Sequence, residues 1–362
     1  MEIKEYKCPN CGGVVKFDLT TQGMKCPSCD TEFEIAALEE YQKEMRAQTG
    51  DSYGWEAGDA GKEWDAGELG DLSQCACPSC GAEIIGDQNA VAMVCPNCGN
   101  SQIVSKRLSG LLKPDYVIPF QLDKKTATQA LKDFYTGKRL LPDFFKEENR
   151  INSLQGIYLP FWLFDGDAKG HIRYKATKIK TWSDSNYNYT KTDFYSVVRD
   201  GGMAFAKIPV DGSERMDDAY MDAIEPFDYA QLKDFQTAFL SGYPAEKHDV
   251  DAEKSKPRAE TRIKNSVEAE FRKSVTGYAS VTRESASVAV TGGKVSYGLF
   301  PVWILNTKYK KENYLFLMNG QTGRLVGRLP IDSGKFWKYL LLLTGGIGAA
   351  VTAVIQALRI FL

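Results

Sequence analysis

The distribution of apolar positions separates a long mixed body from an uncharged end. Between Lys338 and Arg359 lie twenty residues without a charge, from Tyr339 to Leu358. At about 1.5 Å per residue, a helix of that length matches the roughly 30 Å hydrocarbon core of a bilayer. Phe336, Trp337 and Tyr339 stand at its near edge, where aromatic rings favour the interface. The pattern predicts one transmembrane tail anchor over 335–362, with a hydrophobic helix docked on the body as the competing reading. Upstream, helical spacing marks Glu34 to Arg46 (Ile35, Leu38, Tyr41, Met45) and the run after Asp123 (Ala127, Ala130, Leu131, Phe134, Tyr135). It also marks Leu232, Phe235 and Phe239 ahead of Gly242 and Pro244, and the stripe Ala259, Ile263, Val267, Phe271. Alternation at Ile172, Tyr174 and Ala176 predicts a strand. Asp200-Gly201-Gly202, Gly292-Gly293 and Asn319-Gly320 read as punctuation between strands. Two apolar runs resemble each other, Leu159-Pro160-Phe161-Trp162-Leu163-Phe164 and Phe300-Pro301-Val302-Trp303-Ile304-Leu305. They fit a duplicated α+β domain over 111–334, or two independently buried strands; both readings put the tryptophans in the core.

Cysteine spacing adds chemistry that hydropathy does not show. Cys8-Pro9-Asn10-Cys11 is followed by fourteen residues and then Cys26-Pro27-Ser28-Cys29. Sixty-nine positions on, Cys77-Pro78-Ser79-Cys80, fourteen residues and Cys95-Pro96-Asn97-Cys98 repeat the arrangement. Each C-P-x-C turns two sulfurs onto one ion, and a glycine follows at Gly12, Gly81 and Gly99, where a left-handed backbone costs little. Two facing knuckles make a closed tetrahedral shell of four cysteine sulfurs, and the spacer is long enough for a hairpin, which together describe a zinc ribbon. Units of about 30 residues bury too little apolar surface to fold alone, so the metal has to specify them. The expectation is two Zn2+ ions, on Cys8, Cys11, Cys26 and Cys29 and on Cys77, Cys80, Cys95 and Cys98. Iron in a rubredoxin-like site and redox CxxC pairs are the competing readings. Cys75 stands outside the repeat as a spare thiol, though it can substitute for Cys77.

Charge and composition narrow the partners. The net charge is −2, which singles out neither nucleic acid nor an acidic surface. In the first ribbon Lys4, Lys7, Lys16 and Lys25 face Glu2, Glu5, Asp18, Asp30, Glu32 and Glu34; in the second, Lys106 and Arg107 oppose Glu83 and Asp87. Neither carries the basic excess that phosphate binding needs, so protein contact is the preferred reading and nucleic acid the second. Residues 47–74 are rich in glycine and acid and read as a flexible linker, in which Trp55 and Trp64 fit incidental domain contacts or a docking motif. The expected organisation is ribbon and helix over 1–46, linker 47–74, second ribbon 75–110, α+β domain 111–334 and anchor 335–362.

Motifs for catalysis are missing from the sequence. There is no phosphate loop, no GxSxG elbow and no GxGxxG loop. His171 and His248 are far apart, and Asp165 and Asp167 read as solvated turn residues. No catalytic residue is named, and a non-enzymatic protein is expected. Lys335 and Lys338, with Arg324 and Arg328 upstream, outweigh Arg359, which places the N-terminal bulk in the cytoplasm, where thiols stay reduced. Gly345, Gly346, Gly348, Ala349 and Ala350 have the small-xxx-small spacing that lets two helices approach closely, as in a homo-oligomer.

The combination resembles a bacterial family of tail-anchored membrane proteins with TFIIB-type zinc ribbons. The matching features are the paired ribbons, Tyr116-Val117-Ile118-Pro119-Phe120 ahead of the Asp123 helix, the run from Ile157 to Phe164, Phe300-Pro301-Val302-Trp303 and Asn319-Gly320-Gln321-Thr322-Gly323. Members are often encoded beside SPFH (flotillin-like) and phage-shock-type proteins. The resemblance implies a scaffold or adaptor role in membrane stress, recruiting cytosolic proteins to the membrane.

Overall fold

The structure, a computed structural model, describes residues 6–47, 50–56, 60–64, 68, 72–87, 94–100, 104–106 and 111–361. Glu2, Lys4, Glu5, Arg107 and the linker residues 57–59, 65–67 and 69–71 lie outside the described residues. The early elements are β1 (Tyr6–Lys7), β2 (Val14–Asp18), β3 (Gly23–Lys25), β4 (Glu32–Phe33), α1 (Ile35–Ala47), β5 (Ser52–Trp55), β6 (Ser73–Ala76), β7 (Glu83–Gly86), β8 (Val104–Lys106) and β9 (Tyr116–Val117). Then come α2 (Lys124–Tyr135), α3 (Glu148–Ile151), β10 (Gln155–Ser183), β11 (Asn188–Asp211), α4 (Asp218–Ala223), β12 (Lys233–Asp234) and β13 (Ala245–Glu246). The chain closes with α5 (Ala252–Lys273), β14 (Ser280–Tyr309), β15 (Glu312–Asn319), β16 (Leu325–Gly327) and α6 (Ser333–Phe361). The architecture is therefore two four-cysteine groups near the N-terminus, an α+β middle region and one C-terminal apolar helix.

Two compact units emerge, each drawn from three segments. The first takes Met1–Trp55, Gly166–Phe205 and Glu260–Gly293, and the second Glu56–Asp165, Ala206–Ala259 and Lys294–Leu362. This differs from a serial order in which 111–334 stands as one body. The cause is the length of β10, β11 and β14, each of which contributes residues to both units.

In the first unit, β1 to β4 form an antiparallel sheet with Tyr6 opposite Val15, Lys16 opposite Lys25 and Met24 opposite Phe33. The fourteen-residue spacer is thus the expected hairpin. Leu38 of α1 closes a small core with Cys8, Val15 and Cys26. Arg173 on β10 stacks on Tyr41 of α1 and pairs with Glu284 at 3.2 Å. Residues 51 to 55, expected within a linker, instead add β5 parallel to β14, Ser52 opposite Ala289. Asp51 accepts from the Val288 amide at 2.9 Å, and the Trp55 indole donates to Glu260 at 2.9 Å. Gly292-Gly293 is a bulge in β14 rather than a break, because a Cβ on Gly293 would collide with Trp55. Asp200-Gly201-Gly202 likewise runs inside β11, and a Cβ on Gly201 would press on Phe271.

The second unit has the hydrogen-bonded strand order β12-β9-β14-β10-β13-β7-β6-β8. The two similar runs are central in it: Phe161 stacks on Phe300 at 4.6 Å, and Trp162 and Trp303 are buried as expected. Their indoles donate to the carbonyls of Val250 and Leu122. Asp123 caps α2 by accepting from the Thr126 amide at 2.8 Å. The expected helix around Leu232, Phe235 and Phe239 is replaced by two 3-10 turns flanking β12. Pairing of Lys233 with Val117 and Asp234 with Tyr116 takes the backbone groups that a helix would have used. Asp165 lies in β10, where it accepts from the Lys207 amide and ammonium at 2.8 and 2.7 Å, not in a turn. Trp64 packs edge-on against Phe235. Asn319-Gly320 does separate β15 from β16.

Candidate metal centres

Four copies of one local structure build the two centres. In each knuckle the first cysteine amide donates forward to a carbonyl five residues on: Cys8 to Gly13 at 2.7 Å, Cys26 to Thr31 at 2.9 Å, Cys77 to Ala82 at 2.9 Å and Cys95 to Asn100 at 2.8 Å. The amide four residues on returns a bond to the cysteine carbonyl, from Gly12, Asp30, Gly81 and Gly99. That returning residue is left-handed every time, with φ of +76°, +55°, +74° and +72°. Asp30 is the one non-glycine, and a short polar side chain is what tolerates that region after glycine.

The turns bring the predicted ligands together as two groups, Cys8, Cys11, Cys26 and Cys29 and then Cys77, Cys80, Cys95 and Cys98. Within each group the sulfurs lie within 4.8 Å of one another. Cys8 to Cys29 is 3.7 Å, Cys11 to Cys26 3.4 Å, Cys77 to Cys98 3.5 Å and Cys80 to Cys95 3.6 Å. Disulfides need about 2.05 Å, whereas a tetrahedron with Zn–S of about 2.3 Å has edges of about 3.8 Å. Each group can hold one metal ion. Cys75 is not among them: it lies buried in β6, opposite Ile84.

Proton affinities within the groups diverge. Hydrogen bonds from the Thr31 hydroxyl and amide bring Cys29 down to about 6. Burial opposes ionisation of Cys77, but the amides of Cys80 and Ser79 outweigh it and bring that thiol down to about 7. Burial pushes Cys80 up to about 11 and raises Cys95 as well. Four sulfurs in contact cannot all carry charge unless a cation lies between them, and the donor set fits a soft or borderline divalent ion.

Each centre is gripped from outside at the knuckle whose middle residue is asparagine, and the second centre is held at its serine knuckle as well. Lys175 of β10 directs its ammonium at the Asn10 side chain and, at 3.4 Å, the Asn10 carbonyl. In the second unit, Asn97 donates to Glu246 at 2.8 Å while its carbonyl accepts from Asn306. Arg215 reaches the carbonyls of Cys80 and Gly81, both at 3.1 Å, and pairs with Asp249. Edge pairing of β13 with β7, Glu246 opposite Ile84, completes the attachment. None of Lys175, Arg215, Glu246 and Asn306 was foreseen. The available signal was the asparagine found in one knuckle of each ribbon, since Asn10 and Asn97 are both held from outside; nothing in the spacing pointed to Arg215 on the serine knuckle.

Glu246 is fully buried, and burial raises its carboxyl to about 7 despite the Asn97 bond and nearby Arg215. A raised folded value means that the stability it contributes is present in full below the ordinary 4.5 and lost as pH rises through 7. The Glu246→Gln variant keeps an acceptor for Asn97 and removes the titration. It is expected to gain about 1 kcal/mol of stability at pH 8 relative to pH 6, compared with the parent. Urea titrations of both proteins at the two pH values check this.

Neither histidine is a member of a four-cysteine group: His171 contacts Asp200 at 2.5 Å, and His248 is wedged between Trp162 and Tyr297. At the far end, Ser333–Arg359 forms a helix long and apolar enough to cross a membrane. Its apolar side chains are exposed, Leu341 by 68% and Ile347 by 63%, so it is not a docked core helix. Lys335 ties its first turn to the Leu141 carbonyl at 2.8 Å and to Asp143 at 2.6 Å.

No protein-family model matches the chain, and no solved structure does. The uncharacterized protein YdjG of Bacillus subtilis (strain 168) is 35% identical over 352 residues, 97% of each chain.

Proposed function

The chain belongs to the family of Bacillus subtilis YdjG, and we propose that it is a non-enzymatic, zinc-loaded adaptor anchored in the membrane by its C-terminal helix. The N-terminal bulk is cytoplasmic, and its ribbons and middle region hold cytosolic partner proteins at the bilayer. One observation carries the reading: two closed four-sulfur groups share a chain with an exposed apolar helix. With four thiolates per ion, no coordination position is left for a catalytic water, so the metal is structural. The eight cysteines would hold it, and it would supply the cross-link that a 30-residue ribbon lacks. The positive charges before the helix favour the cytoplasmic side for the body. The near balance of charge in the ribbons favours protein over nucleic acid. Flotillin-like and phage-shock-type proteins are the partners that the sequence resemblance suggests.

Extraction of the full-length protein from membranes in mild detergent, with mass spectrometry of what accompanies it, tests this. The expected result is a stoichiometric protein partner. Co-purifying nucleic acid, or the protein alone, contradicts the adaptor reading.

A further inference from the structure

We propose that the outer part of the β10–β11 hairpin is a second membrane contact, a lysine–aromatic face that adsorbs to an anionic lipid surface. The hairpin turns at 184–187, where the Asp184 amide donates to the Tyr187 carbonyl at 2.9 Å. Around the turn, Trp182, Tyr187 and Tyr189 are 52%, 68% and 39% exposed, which is unusual for large rings on a folded unit.

They form one surface. Trp182 stacks on Tyr189 at 5.4 Å with the rings 10° from parallel, and Tyr187 meets Tyr189 edge-on at 6.3 Å. Strand alternation puts Lys180 on the face of Trp182 and Lys191 on the face of Tyr189. Further back, Lys178 lies 5.3 Å from the rings of both Tyr195 and Tyr278. Two carboxylates are nearby: Asp193 pairs with Lys191 at 3.1 Å, and Asp184 is held in the turn by the amides of Asn186 and Tyr187 and the Tyr189 hydroxyl.

The order along the hairpin is aromatic at the end and ammonium behind, which is the order a bilayer interface selects. Trp and Tyr bury their rings at headgroup depth while their polar atoms stay wet, and lysines then meet lipid phosphates. Single-stranded nucleic acid is the rival occupant, but it needs open ring faces on which bases can stack. Here Trp182 and Tyr189 cover a face of each other, and Lys178 sits over the rings of both Tyr195 and Tyr278, which also contact each other at 5.4 Å. The same chain also ends in a helix able to cross a membrane, which gives lipid a high effective concentration. To that extent the proposal rests on the anchor.

The test uses the full chain in nanodiscs of phosphatidylcholine and phosphatidylglycerol, with and without bromine on the acyl carbons nearest the headgroup. The chain has six tryptophans, so the emission of Trp182 is taken as the difference between the parent and Trp182→Phe. Bromination is expected to reduce that difference at least twofold. The variant Lys178→Gln/Lys180→Gln/Lys191→Gln should lose at least half of the quenching; these exposed side chains leave the fold intact. An unchanged Trp182 signal in loaded discs overturns the proposal. So does quenching by an added oligothymidylate and not by brominated lipid, which would assign the face to nucleic acid. Protein that stays out of the discs overturns the anchor itself, a separate and visible failure.

Discussion

Replacing Cys77 by serine should remove one of two bound metal ions and unfold the second ribbon, while the first keeps its ion. Structural zinc contributes on the order of 10–16 kcal/mol of apparent binding energy in small ribbons. A whole domain is stable by only about 5–15 kcal/mol, so a centre reduced to three thiolates cannot keep its fold. The damage should not stop at the ribbon. β7 pairs with β13, Asn97 is held by Glu246, and Arg215 holds the carbonyls of Cys80 and Gly81. Loss of the knuckles leaves the buried Glu246 without its Asn97 donor, a penalty of roughly 1–3 kcal/mol or more within the second unit. Hydrogen exchange should therefore rise in 73–86 and also around 245–246. The Cys8→Ser variant should confine its effect to the first unit, where β1 to β4 and α1 share a core with Cys8 and Cys26. A Cys77→Ser protein with two ions and parental exchange would show that these sulfurs do not hold metal.

Ending the chain after Lys338 should move the protein from the membrane fraction to the supernatant. The uncharged stretch of the deleted segment, from Tyr339 to Leu358, carries Leu340 to Leu343, Ile347, Val351, Val354, Ile355 and Leu358, nine large aliphatic side chains. At about 0.3–0.6 kcal/mol each on an insertion scale they give roughly 3–5 kcal/mol in favour of the bilayer. Lys335 remains to hold Leu141 and Asp143, so the body keeps its contact with the first turn of α6. A single Ile347→Arg change at mid-helix costs about 2.5–3.5 kcal/mol and should give partial release. Alkaline carbonate extraction followed by sedimentation measures both. Full retention of the truncated chain would mean that something other than α6 holds it.

The parts of this protein that were legible from sequence are those whose signal is local. Eight ligands follow from C-P-x-C spacing because a knuckle closes within six residues. The anchor follows from twenty consecutive uncharged positions, and α2 from Asp123 and a helical stripe. What could not be read depends on partners far along the chain. Residues 51–55 have the composition of a linker and become a strand only because β14 offers an edge and Asp51 can cap Val288. The stripe at Leu232, Phe235 and Phe239 has helical spacing, yet β9 takes its backbone into a ladder. Glycine pairs misled for the same reason. Gly201 and Gly293 are small because Phe271 and Trp55 press against them, not because the chain turns there. Lys175, Arg215 and Glu246 belong to the centres through contacts spanning more than a hundred residues, which spacing rules do not reach.

The most direct test is the metal content of the full-length protein purified from membranes, measured by inductively coupled plasma mass spectrometry against protein from amino-acid analysis. The account predicts two zinc ions per chain, one lost in Cys77→Ser and both in Cys8→Ser/Cys77→Ser. Fewer than one ion per chain, or iron with a visible thiolate absorption band, would contradict it.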